Sequence, residues 1–182
     1  EAFQAVRPFE HVIVWGRNAD KARSLAARAD ALGVRKVSVA PTVREAAAQA
    51  DVVCTVTSSP GPLLSGDDLR PGQHLCLVGS SIPQTREVDD DVVVRSRYYV
   101  DYRGSAREQA GELLHAIEAG RVTDAHIVGE IGEVLAGRVE GRRSDSEITL
   151  YKSLGIAAQD LAAALLVLER ARERQAGTLA RL

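Results

Sequence analysis

Three short stretches place glycine and small polar side chains directly behind apolar runs. Gly16-Arg17-Asn18 follows His11–Trp15, Thr57-Ser58-Ser59-Pro60 follows Asp51–Val56, and Ser80-Ser81 follows His74–Gly79. Glycine lets a backbone approach a ligand closely, and short hydroxyls can bond to a ribose or a pyrophosphate. Thr57 and Ser58 are candidates for that contact. A carboxylate behind the first run would accept bonds from both ribose hydroxyls and repel a 2′-phosphate. The residues there are Gly16, Arg17 and Asn18 instead, with Lys21 one helical turn on. A guanidinium grips a phosphate through two parallel N–H bonds. NADP(H) is therefore favoured over NAD(H), with Arg17 and Asn18 at the ribose.

These residues can act together only if the elements bring them to one place. Asn18 can cap a helix running to about Leu32, ended by Gly33. A strand at Lys36–Ala40 and a helix at Val43–Ala50 follow. Asp51–Val56 and His74–Gly79 are apolar on both faces, as central parallel strands require. A helical piece over Asp89–Arg95 opens with three carboxylates at its positive end, and Tyr98–Asp101 reads as the next strand. This alternation predicts a doubly wound, mostly parallel α/β sheet. Ligands of such sheets bind at the carboxyl ends of the strands, where all three stretches fall.

Helical stretches near 105–119 and 130–136 come next, then a polar segment and a long helix over about 155–174. The first half of that helix is apolar nearly all round, so it should be buried on more than one side. Residues 1–140 read as a nucleotide-binding domain and 141–182 as a strand and helix segment packed toward a further domain. The chain has no methionine and opens inside a helical pattern, so a preceding segment is expected.

Composition excludes several classes. A formal charge of −2 and 4% aromatics leave neither a basic stripe nor stacking platforms for nucleic acid. The longest apolar run, Ile156–Leu168, is broken by Gln159-Asp160 and falls short of the roughly 18 residues that read as a membrane span. Cys54 and Cys76 lie in apolar runs without metal-ligand spacing, and read as reduced core residues of a cytoplasmic protein. The four histidines have no mutual metal spacing either, so no metal is expected. Glu87 should pin the next helix, Asp101 should hold a turn or join neighbouring loops, and Lys152 reads as structural or interfacial.

Taken in order, Val56–Pro60, Val78–Pro83 with Arg86-Glu87, Val100-Asp101, Gly141–Asp145 and Thr149–Gly155 resemble the ornithine cyclodeaminase/μ-crystallin family of NAD(P)-dependent proteins. The resemblance implies a Rossmann-like fold that lacks here its first strand and glycine-rich loop, both expected upstream of residue 1 with a substrate and dimerisation domain. It places Val78, Gly79, Ser80 and Ser153 beside the nicotinamide. It also puts Ser81 where ornithine cyclodeaminases carry an acid–base aspartate. A serine hydroxyl is a weak agent for deaminating cyclisation. The expected activity is thus hydride transfer to or from a small α-imino or α-amino acid by a homodimeric enzyme. The alternatives are ornithine cyclodeaminase itself or a non-catalytic NADPH-binding protein.

Overall fold

The computed structural model describes residues 5–30, 33–178 and 180. Seven four-residue strands organise it: β1 (His11–Val14), β2 (Lys36–Val39), β3 (Val52–Thr55), β4 (His74–Leu77), β5 (Arg97–Val100), β6 (Ile127–Glu130) and β7 (Thr149–Lys152). They form two sheets, β1-β2 and β3-β4-β7-β5-β6, with every pairing parallel. β1 and β3 each keep one edge unpaired among the described residues.

The helices between them are α1 (Ala19–Asp30), α2 (Val43–Gln49), α3 (Asp90–Arg95), α4 (Arg103–Gln109), α5 (Gly111–Glu118), α6 (Ile131–Leu135) and α7 (Ala157–Glu173). The cap expected at Asn18 forms, and Thr42 and Asp89 cap two further helices. Asn18 Oδ1 accepts the Lys21 N–H at 3.0 Å, and Thr42 Oγ1 accepts the Glu45 N–H at 3.1 Å. Asp89 Oδ1 accepts from Val92 N at 3.0 Å, while its carboxylate also takes Ser65 Oγ and Gly66 N. Each cap satisfies an amide that the first helical turn leaves without a partner.

In β4 and β5, Leu75, Cys76, Leu77, Tyr98, Tyr99 and Val100 are buried in unbroken succession. Alternate residues of a strand face opposite sides, so this part of the sheet is covered on both. α2 to α5 supply the cover through Ala47, Val92, Val93, Ala106, Leu113 and Ala116.

Several expectations change. β7, expected in the segment after residue 140, lies between β4 and β5 at the centre of the five-stranded sheet. β6 carries little signal in the sequence, its apolar run being only Ile127-Val128 ahead of Gly129. The helix expected over 105–119 is two helices, parted at Ala110. Gly111 opens the second of them, where a Cβ would collide with the Thr85 carbonyl. Cys54 is exposed rather than core, while Cys76 is buried opposite it in the β3–β4 register.

α7 departs most. Far from being enclosed, it has no buried residue, and Leu161, Leu165, Leu166, Val167 and Leu168 all face outward. Helical periodicity reported its apolar surface correctly, but nothing among the described residues covers that surface. The expected end of α1 at Leu32 lies outside the described residues, as does most of the opening helical pattern.

Candidate nucleotide and substrate site

Parallel strands of one sheet end on the same edge, so the exits of β3, β4, β7 and β5 are neighbours. Three buried ionised groups hold these exits in place.

The first is Glu87, fully buried. Its carboxylate accepts Thr55 Oγ1 at 2.6 Å, Thr57 N at 2.6 Å and Gly79 N at 2.9 Å, which ties the exit of β3 to that of β4. Its own carbonyl accepts the amides of Leu63 and Leu64. Glu87 therefore pins two strand exits and not the next helix, which Asp89 caps. Gly79 is required here, since a Cβ would run into the Thr57 backbone and the Glu87 carboxylate. A charged acceptor with three donors needs no counter-cation, because hydrogen bonds replace its hydration.

The second group is the pair Lys152–Glu112, both 0% exposed, with Nζ and Oε2 3.3 Å apart. Lys152 Nζ also donates to the Ser80 carbonyl, and Glu112 Oε1 accepts the Glu87 N–H at 3.2 Å. The pair thus joins β7, α5 and the loop behind β4. Nearby Tyr98 is buried, and among the described residues its hydroxyl has no hydrogen-bond partner. Its pKa is raised well above the ordinary phenol value, first by desolvation and then by the charges of Glu112 and Asp101.

The third is Asp101, at the end of β5. Its Oδ2 accepts Leu154 N and Gly155 N, both at 2.6 Å, and its Oδ1 accepts Tyr102 N at 2.8 Å. It holds its own turn and fixes the exit of β7, as expected of it.

The predicted ligand contacts distribute over this frame as follows. Thr57 is half-buried, its Oγ1 accepting from Ser59 N at 3.2 Å. Ser58, Val78 and Ser81 are exposed on the same edge, and neither the Ser58 nor the Ser81 side chain has a polar partner among the described residues. Gly79 is held as above. Ser153 is half-buried, its amide donating to Leu77 O at 2.9 Å. Ser80 is buried and its hydroxyl donates to Thr85 O, so its side chain shapes the loop.

Arg17 and Asn18 stand at the end of β1, in the separate two-stranded sheet. No hydrogen bond or ion pair joins them to the other exits among the described residues. Arg17 is exposed and its guanidinium has no partner there. Arg142, by contrast, is occupied: it donates to Gln73 O at 3.1 Å and Thr149 Oγ1 at 3.0 Å, at the opposite edge of the sheet.

Sequence reasoning missed Glu112 and did not see that Lys152 is buried. Both are charges on elements whose neighbours in sequence look ordinary, and 40 residues separate them. Among the described residues no group of histidine, cysteine or carboxylate side chains could hold a metal ion, and no helix is long and apolar enough to cross a membrane.

The residues present fit a nucleotide. An unpartnered guanidinium beside a capped helix suits a ribose phosphate, and exposed hydroxyls stand at exits whose backbone is held rigid from below. Comparisons with known proteins identify the family. The model of the "Ornithine cyclodeaminase/mu-crystallin family" matches residues 1–175. Ketimine reductase mu-crystallin of Mus musculus is 35% identical over 167 residues, which are 92% of this chain and 49% of that protein. The structure of Delta(1)-pyrroline-2-carboxylate reductase of Thermococcus litoralis, in complex with NADH and L-proline, matches with a TM-score of 0.94. Its identity is 30%, over 98% of this chain and 55% of that one. An archaeal alanine dehydrogenase dimer with bound NAD matches at 0.90 and 29% identity, over 100% and 55%. The chain spans about half the length of the curated relatives it matches.

Proposed function

The chain belongs to the ornithine cyclodeaminase/mu-crystallin family, and from that premise we propose that the protein is an NAD(P)-dependent oxidoreductase of small α-imino and α-amino acids. The observation that carries this reading is the edge formed by Thr57, Gly79, Ser81 and Ser153, held by Glu87, Lys152 and Asp101. When bound, the reduced nicotinamide supplies a hydride to the imine carbon, and the nitrogen keeps or takes a proton.

In this reading the chain's own residues orient the reactants. Glu87 keeps the β3 and β4 exits at a fixed separation, so that Gly79 offers a flat backbone surface for the ring. Ser58 and Thr57 bond the ribose or pyrophosphate. Arg17 receives the 2′-phosphate, which favours NADP(H), while the neighbours named above hold NADH and NAD. Ser81 occupies the position facing the substrate, where its neutral hydroxyl can donate a hydrogen bond but is a weak base. That property favours reduction over deaminating cyclisation. The outward apolar side of α7 packs against the other half of the protein, in a homodimer like the alanine dehydrogenase neighbour.

The test is turnover by the full-length protein. With NADPH or NADH it should reduce a cyclic α-imino acid such as Delta(1)-pyrroline-2-carboxylate, read from the loss of reduced-nicotinamide absorbance. Proline and ammonia formed from ornithine, with no activity on imines, would overturn the reading in favour of cyclodeamination. Tight NADPH binding without oxidation on any imine would overturn it in favour of a binding protein.

A further inference from the structure

Lys152 is fully buried at the centre of the sheet, yet it pairs upward with the loop behind β4 and not with solvent. A buried ammonium is costly unless paired and hydrogen-bonded, so its neighbours define what it does. There are two: the Glu112 carboxylate, and the carbonyl of Ser80. The carbonyl is the informative one, because Ser80 and Ser81 share a peptide bond.

All peptide bonds of the described residues are trans. In a trans peptide the C=O and N–H vectors are antiparallel. With the Ser80 carbonyl drawn inward onto Lys152 Nζ, the Ser81 N–H must be directed outward, to the exposed edge. Among the described residues that N–H donates to nothing. An ammonium on the carbonyl also withdraws electron density from the peptide and strengthens its N–H as a donor.

The rest of the loop is built to hold this peptide still. Ser80 Oγ bonds Thr85 Oγ1 at 2.9 Å, the Thr85, Ile82 and Pro83 carbonyls close over Gly111, and Glu112 Oε1 takes the Glu87 amide. We propose that Lys152 is a positioning residue, which through the Ser80 carbonyl aims the Ser81 amide at an oxygen of the bound substrate or nicotinamide during hydride transfer. Lys152 itself touches no reactant. The inference rests on the oxidoreductase reading above.

The experiment uses the full-length protein carrying Lys152→Met together with Glu112→Gln. The double change removes both buried charges at nearly constant volume, and the carboxamide oxygen introduced by Glu112→Gln can still accept the Glu87 amide. The expected result is a fall of about tenfold or more in kcat with imine, while the NAD(P)H dissociation constant moves by less than about threefold. The loss should lie in kcat, because the misaimed donor acts when the reactants are already bound. Unchanged kcat in a folded double variant would overturn the inference while leaving the reading of function intact. Loss of cooperative melting would assign the pair to stability alone and overturn it too. A wild-type protein that neither binds nor oxidises reduced nicotinamide would instead overturn the underlying reading.

Discussion

At the exits of β3, β4, β5 and β7 the ionised groups that shape the backbone are all withdrawn from water: Glu87, Glu112 and Lys152 at 0% exposure and Asp101 at 4%. In the limb formed by β1, α1 and β2 the charges stay outside. Its Arg23–Asp20 pair has side chains 63% and 88% exposed, and its Arg35–Glu10 pair 81% and 88%. Arg17 has no partner at all among the described residues. Charge serves two purposes here. Where it is buried and bonded on several sides it fixes the geometry of a backbone edge, and where it is free it is, in the proposed reading, what meets a ligand.

The difference is sharpest at Glu87. Glu87→Gln keeps the shape but puts an NH2 group where one carboxylate oxygen accepts, against the Thr57 amide on one side or the Gly79 amide on the other. The expected cost is about 3 kcal/mol in urea unfolding, since bonds to a buried charged group are strong and their donors would be stranded. The same measurement on Asp20→Asn should show a change within about 0.5 kcal/mol, as exposed ion pairs contribute little. Equal effects at the two sites would remove the contrast between the regions.

How much of this could be read from the sequence follows the same division. Asn18 is legible because it caps its own helix, and Asp101 is legible in part because its Oδ1 holds the Tyr102 amide in its own turn. Apolar runs likewise gave β4 and β5 directly. Lys152 and Glu112 are illegible because the sheet order β4-β7-β5 brings them together, and no local pattern reports that a late strand enters the centre. The need for glycine at 111 is of the same kind, being imposed by carbonyls from residues 82–85. The uncovered face of α7 shows the converse limit. A periodicity names a surface to be buried, but not what will bury it.

Arg17 allows the second half of the comparison to be tested by binding. Arg17→Ser should leave the melting temperature unchanged and weaken NADPH binding about tenfold, or roughly 1.4 kcal/mol, with NADH little affected. The measurement is a fluorescence titration of the full-length protein with each cofactor. Parallel losses for both would mean that Arg17 supports the fold or the adenine, and that its freedom from partners has nothing to do with a phosphate.

The smallest effect tests whether the opposite edge of the sheet carries any such charge device. His74 begins β4 at that edge, with Nδ1 2.8 Å from Thr149 Oγ1. Burial pushes its pKa down, the nearby Arg142 guanidinium adds to this, and the Thr149 contact opposes it. The folded chain therefore holds His74 neutral more firmly than the unfolded chain does. Its contribution to stability is complete above about pH 6.5 and is lost as the pH falls toward the lowered folded value. Comparison of wild type with His74→Gln by urea unfolding at several pH values should show a steeper acid loss in the wild type. One proton limits the difference in slope to about 1.4 kcal/mol per pH unit. A wild type that instead gains stability relative to the variant on acidification would mean that the imidazolium is favoured in the fold. This edge too would then hold a buried charge, and the contrast would no longer separate a built edge from an ordinary one.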